Sequence, residues 1–201
     1  MLCSGVNHVY FHGAPYSPKG VDFPGWLFYA SINVSPTNSM WQDASGLFDY
    51  ITRVQSFLTA GSPDADFLLY FPLDDILHRQ DGNPYLMFDI HKMQQRMPDI
   101  KQSVTDVVNA GYDLDYVSDS LLSVLNVRPD GTIGSKGDTR HRAVIVPSVK
   151  MMQPQSLKRL LDLAREGATV IFAGSLPADV PGLGHLDARR ESFGKIAAEL
   201  P

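Results

Sequence analysis

Hydrophobic positions along the second half of the chain follow one rhythm. Short apolar runs at 67–71, 114–117, 143–146 and 168–172 alternate with segments whose apolar residues recur at helical spacing. The runs at 67–71 and 143–146 are continuous, as in strands buried on both faces. Between them, Asp99 can cap a helix with Ile100, Val104, Val107 and Val108 inward and Gly111 at its end. Ser118 can cap a turn of helix through Leu121, Leu122 and Leu125. Pro154 suits a first helical turn, with Leu157, Leu160, Leu161 and Ala164 as the inner face and Gly167 as the stop. Asp187 can cap a last helix carrying Phe193, Ile196, Ala197 and Leu200. Residues 72–98 are polar and irregular, with Pro84 and Pro98. Pro129-Asp130-Gly131 and Lys136-Gly137-Asp138 suggest a small surface hairpin within 128–142.

Strand and helix in alternation predict a parallel sheet with helices on both faces. The expected fold class is α/β, flavodoxin-like, of the kind also found in class I amidotransferases, over residues 62–201. Residues 1–61 follow a different pattern. Val6 to Phe11 reads as a short strand ending at His12-Gly13. Residues 14–43 keep no period and are broken by Pro15, Pro18, Gly20, Pro24, Gly25 and Pro36. Tyr16, Phe23, Trp26, Phe28, Tyr29 and Trp41 make this stretch too aromatic for a disordered linker, so an ordered, surface-lining loop is expected. A helix follows with Leu47, Ile51, Val54 and Leu58 on one face, capped by Asp43 or Ser45 and stopped by Gly61. Ser62-Pro63-Asp64 looks like a linker. One βα unit cannot be a domain alone; it must dock on the α/β part or belong to a barrel whose remainder lies elsewhere.

Composition narrows the function. The formal charge of -5 gives no electrostatic pull toward nucleic acid or anionic lipid, so neither is expected as a partner. No apolar run spans a bilayer, and the N-terminal residues lack the pattern of a signal peptide. The single cysteine, Cys3, rules out an internal disulfide and a Cys-rich zinc site. Among the acidic residues only three are glutamate, Glu166, Glu191 and Glu199, all in the last fifth of the chain.

Several side-chain groups could carry chemistry. Turns at Pro72-Leu73-Asp74-Asp75, Pro147-Ser148 and Gly174-Ser175 would sit at strand ends, where such sheets bind nucleotide or flavin, but none is a glycine-rich phosphate loop. An amidotransferase-type triad needs a nucleophile on a tight strand-to-helix turn, and Cys3 lies in the wrong segment. On a strand, His8 and His12 would share a face, yet no nearby residue completes a metal site, so no metal or other cofactor is expected. His12 is the better functional candidate, at a strand end beside Gly13. Tyr16, Trp26, Tyr29 and Trp41, with Asn38 between, could stack on the C–H faces of sugar rings or could simply pack the loop down. Asp113 and Asp115 could bind a cation or serve as caps.

Gly5-Val6-Asn7-His8-Val9-Tyr10-Phe11-His12-Gly13, followed by Pro15-Tyr16-Ser17-Pro18, resembles the α-L-rhamnosidase-like glycoside hydrolases (family 106). The likeness continues through Pro24-Gly25-Trp26, Asn38-Ser39-Met40-Trp41 and 49–55, and reappears at 112–119 and 143–147. The resemblance implies a large bacterial enzyme with a (β/α)₈ barrel followed by an α/β domain like the trimerisation domain of some β-galactosidases. Residues 1–61 would then be the terminal βα unit and aromatic loop of the barrel, and 62–201 the domain behind it. It implies that His12, Tyr16, Trp26, Asn38 and Trp41 line the sugar cleft of the complete enzyme. Glycosidases need two carboxyl groups flanking the scissile bond. The resemblance places them upstream of Met1, so no catalytic residue is named here and the isolated chain is expected to be inactive. The expected partners are carbohydrate, the remainder of the barrel and a second copy of the chain. The complete parent is expected in the periplasm or outside the cell. The alternatives are a non-catalytic α/β module for oligomerisation or glycan binding, and a small flavin- or nucleotide-binding protein.

Overall fold

The structure is a computed structural model that describes residues 2, 5–78, 97–135 and 137–200. Cys3, Pro84, Lys136 and most of the stretch expected to be irregular over 72–98 lie outside the described residues. The chain divides into two compact units, Met1–Ser62 and Pro63–Pro201.

The first unit contains one helix, α1 (Trp41–Leu58), among its described residues apart from short turns. It begins earlier than the pattern predicts: Met40 occupies the N-cap position, Asp43 lies inside the first turn, and Thr59 rather than Gly61 ends it. The strand expected over Val6 to Phe11 does not form. A strand exists only by pairing, and no other described segment of this unit is a strand that could pair with it. The segment runs instead beside α1. The Val9 N–H donates to the Gln55 side-chain oxygen, and Phe11 packs against Phe48 at 5.6 Å between ring centres. Only Ala44 of α1 is buried, while Leu47, Tyr50, Phe57 and Leu58 stay exposed.

The second unit is an α/β layer structure. Its strands are β1 (Phe67–Tyr70), β2 (Leu114–Val117), β5 (Ala143–Pro147) and β6 (Thr169–Ala173), in the order β2-β1-β5-β6, every neighbouring pair parallel. A two-stranded antiparallel ribbon, β3 (Asn126–Val127) and β4 (Ile133–Gly134), forms the predicted hairpin around Pro129-Asp130-Gly131. The helices are α2 (Leu73–His78), α3 (Pro98–Asn109), α4 (Asp119–Leu122), α5 (Pro154–Arg165) and α6 (Leu186–Ala197).

Side-chain alternation along the strands builds two cores, one on each face of the sheet. Leu68, Tyr70, Val144 and Val146 point to one face, where Leu122 of α4, Leu157, Leu160 and Leu163 of α5, and Phe193 of α6 cover them. Leu69 and Ile145 point to the other, under Ile76 of α2 and Ile100 and Val107 of α3. Each such leucine or isoleucine taken fully out of water contributes about 1.5–3 kcal/mol.

Several helix details depart from the sequence pattern. Leu73–His78 is helical where an irregular stretch was expected, because Pro72 precedes it and its Ile76 finds a seat on the sheet. Pro98 takes the first turn of α3 with Met97 as N-cap, so Asp99 is not the cap, and Val108 is exposed. In α5, Leu163 is buried and Ala164 exposed. His185, in the left-handed region at φ 49°, is the N-cap of α6 in place of Asp187. Ser118 caps α4 as expected, its Oγ accepting from Leu121 N. No helix among the described residues is long and apolar enough to cross a membrane.

Candidate functional site

In the first unit, local hydrogen bonds hold the aromatic loop. The Trp26 N–H donates to Ser17 Oγ at 2.9 Å. That approach requires a glycine at position 25: φ is 76°, and a Cβ there would lie 2.2 Å from the same hydroxyl. Asn38 builds the turn into α1. Its Nδ2 donates to Asn33 O at 2.6 Å, its Oδ1 accepts from Met40 N at 2.8 Å, and its carbonyl accepts from Trp41 N at 3.0 Å. Trp41 is thereby set as the first residue of α1.

The five residues singled out from sequence are therefore placed differently from one another. His12 is exposed and stacks on Phe28, ring centres 5.9 Å apart and planes 24° from parallel. Tyr16 and Trp26 stand in solvent at 77% and 58% exposure, and Trp41 at 42%. Among the described residues no ring contact joins these four to one another. Their neighbours instead line a cleft of about 360 Å³, among them Pro15, Ser17, Lys19, Phe23, Asn33 and Thr37. None of its described lining residues is a carboxylate. Such a surface offers hydroxyl and amide partners and aromatic planes, but no acid–base pair. His8 and His12 do not share a strand face, since that strand is absent; His8 lies against Tyr10.

In the second unit the three turns noted from sequence converge at the carboxyl ends of the strands. Asp75, His78, Asp99, Ser148, Lys150, Met151 and Ser175 line a cleft of about 580 Å³. Asp75 is buried, and its Oδ1 accepts from both Lys150 N and Met151 N at 2.9 Å, which clamps the first turn of α2 to the turn after β5. Ser148 Oγ and Ser175 Oγ share a hydrogen bond of 2.7 Å. Gly174 lets these turns approach: its φ is 128°, and a Cβ would meet that of Ser148 at 2.9 Å. Two amides that a phosphate would need are thus spent on Asp75. His78 and Lys150 were not singled out from sequence, and Asp99 only as a helix cap, because nothing in their spacing shows that separate turns meet.

On the opposite face the strand ends are closed by the protein's own groups. Tyr70 OH donates to Asp119 Oδ1 at 2.7 Å, and the Ser156 hydroxyl donates to the same oxygen. Burial, and then the Asp119 carboxylate, push the Tyr70 phenol well above its ordinary range. Gln153 Nε2 donates to Asp74 Oδ2 at 2.5 Å, and Arg189 Nη2 donates to Gln153 Oε1 at 2.9 Å. Arg190 binds Asp179 through two nitrogens; these hydrogen bonds hold the Asp179 carboxyl down at about 2. Asp113 accepts from the Leu114 N–H, and Asp115 accepts from His141 Nε2 at 3.0 Å, so both serve as local hydrogen-bond partners. Among the described residues no group of three or more His, Cys, Asp or Glu side chains could hold a metal ion.

Comparison with known proteins follows the same grain. Residues 1–200 match the profile of a family described as alpha-L-rhamnosidase, glycoside hydrolase family 106. A protein of Formosa agariphila named "Putative beta-glucuronidase" is 29% identical over 182 residues, covering 90% of this chain and 13% of that protein. The solved structure of a rhamnosidase from Novosphingobium sp. PP1Y superposes with a TM-score of 0.65 at 19% identity, covering 99% of this chain and 17% of the other. The chain thus spans less than a fifth of the length of either relative.

Proposed function

The chain belongs to the α-L-rhamnosidase family of glycoside hydrolases, and from that premise we propose that it is one part of a larger glycosidase acting on L-rhamnose-type glycosides. The observation that carries the reading is the family match along the whole chain, set against the small share of each relative that the chain spans. In this reading residues 1–61 are the terminal βα unit of a barrel and 62–201 the α/β domain that follows. The exposed apolar side of α1 and the unpaired segment at 6–11 favour it, since both are what a barrel piece without its neighbouring strands would leave uncovered. The strand order β2-β1-β5-β6 favours a flavodoxin-like sheet for the second unit.

The chain's own residues bind and orient in this reading and do not perform the bond cleavage. His12, Tyr16, Trp26 and Trp41 present planes for sugar C–H faces. Asn38 keeps one N–H and one lone pair for a hydroxyl beyond those it spends on Asn33 and Met40. The catalytic acid and its partner carboxylate lie elsewhere in the whole enzyme, and the cleft beside the loop has no carboxylate on its described lining. Trp26→Ala and Trp41→Ala in the full-length enzyme test this. The expected result is a KM for an aryl α-L-rhamnoside raised about tenfold, the loss of one stacking contact of about 1.5 kcal/mol, with kcat within twofold. A kcat that collapses at unchanged KM would sink the binding role.

A second reading is a non-catalytic module that binds glycans or mediates oligomerisation. It is favoured by the exposed aromatic loop beside a cleft lined without carboxylates. Light scattering that finds a dimer or trimer, with no response to sugar, would point there.

A further inference from the structure

The cleft beside the aromatic loop is built from a single stretch of chain. All of its described lining lies between Ala14 and Thr37. Turns at 22–25 and 35–38 shape it: the Gly25 N–H donates to Asp22 O at 2.7 Å, and the Asn38 N–H donates to Ser35 O at 2.8 Å. Its volume of about 360 Å³ falls within the range of small-molecule sites, about 300–1,000 Å³. Its hydroxyls have protons to spare. Ser17 Oγ accepts from the Trp26 N–H, which leaves its own O–H to donate. Ser35 Oγ and Thr37 Oγ1 share one hydrogen bond of 3.0 Å, which uses one hydroxyl proton and leaves the other.

Charge then separates this cleft from an ordinary polar hollow. Lys19 is the one charged residue on its described lining, and Asp22 of the adjoining turn is not on that lining. Among the described residues no carboxylate pairs with the Lys19 ammonium. Arg142, Lys158, Arg159, Arg165 and Arg190 of the second unit, by contrast, each hold a carboxylate. In a chain of formal charge -5, a cation left unpaired beside hydroxyl donors, with no carboxylate on the same lining, attracts an oxyanion. A neutral sugar could use the hydroxyls but would gain nothing from the charge.

We infer that this cleft receives an acidic sugar unit, one bearing a carboxylate or a sulfate group, and that Lys19 selects for it. The anion pairs with the Lys19 ammonium, and the hydroxyls of the cleft bond the same unit. Trp26 is tied to Ser17, so a glycan stacked on Trp26 has its next unit at the cleft. The inference rests on the glycosidase reading and adds the charge of the substrate to it. Steady-state kinetics of the full-length gene product on three disaccharides tests it: L-rhamnose linked to glucuronate, to the methyl ester of glucuronate, and to glucose 6-sulfate. Expected is a kcat/KM about tenfold higher for an acidic disaccharide than for the ester, carried by KM and eroded by salt. Preference for the carboxylate or for the sulfate identifies which anion the cleft takes. In Lys19→Gln the ratio of acidic to ester substrate should fall to within about twofold of one, and in Lys19→Arg it should persist. Equal kcat/KM for all three would overturn the inference alone. So would a preference that survives in Lys19→Gln, or cleavage of an aryl rhamnoside with none of the three cleaved. If no rhamnoside is cleaved at all, the glycosidase reading falls and takes the inference with it.

Discussion

Removing the Asp75 carboxylate should loosen the second unit by an amount set by two bonds. Asp75 is 4% exposed, and its Oδ1 accepts from Lys150 N and Met151 N, both at 2.9 Å. A hydrogen bond to a charged group contributes about 1.5–3 kcal/mol. Asp75→Ala breaks both and leaves two amides unpaired, so a loss of at least about 3 kcal/mol is expected. Asp75→Asn keeps a carbonyl oxygen in the same place that can accept from both amides. It forfeits the charge, including its favourable position in the first turn of α2, and should cost about 1 kcal/mol. Urea unfolding followed by far-UV circular dichroism measures the difference. An alanine variant that loses under 1 kcal/mol, or an asparagine variant as damaged as alanine, would refute the clamp.

The other expectations are of the same kind. Tyr70→Phe deletes a buried bond to Asp119 and should cost about 2 kcal/mol in urea. Because the folded phenol titrates above its unfolded value, Tyr70 supports the fold fully below about pH 10 and loses that support as pH rises further, seen as a step of 295 nm tyrosinate absorbance that coincides with unfolding and is missing from Tyr70→Phe. Asp179 is the opposite case: with its carboxyl held down at about 2 against an ordinary 3.8, its contribution is present above pH 3.8 and is lost as pH falls toward 2. Arg190→Gln should flatten that part of the stability curve. Leu157→Ala, at a position with no exposure, should cost about 2–5 kcal/mol, read as a drop in urea midpoint.

The α/β unit was legible because its signals are local and mutually consistent. Continuous apolar runs marked β1 and β5, Ser118 marked the start of α4, Pro154 and Gly167 bracketed α5, and Gly111 closed α3. Caps were the weaker signal. Asp99 and Asp187 are good N-cap residues, yet each helix starts one residue before them, with the acid inside the first turn where it meets the dipole. The strand at 6–11 failed for a different reason: a strand's existence depends on its partner, and no sequence window contains that information. The cleft at the strand ends was half legible. Its three turns could be named, but His78, Asp99 and Lys150 join them only through the sheet order. Asn38 shows the limit of residue type as a guide, since the amide that suits a sugar hydroxyl also organises the turn into α1.

The proposal that most needs a test is that this chain shapes a glycosidase cleft while the groups that cut the bond lie in a longer polypeptide. Turnover of 4-nitrophenyl α-L-rhamnopyranoside, measured side by side for the full-length gene product and for residues 1–201, tests it most directly. The account predicts turnover by the full-length protein and release no faster than the buffer blank by the 201-residue chain. Steady hydrolysis by the short chain, or none by the full-length protein on any rhamnoside, would contradict it.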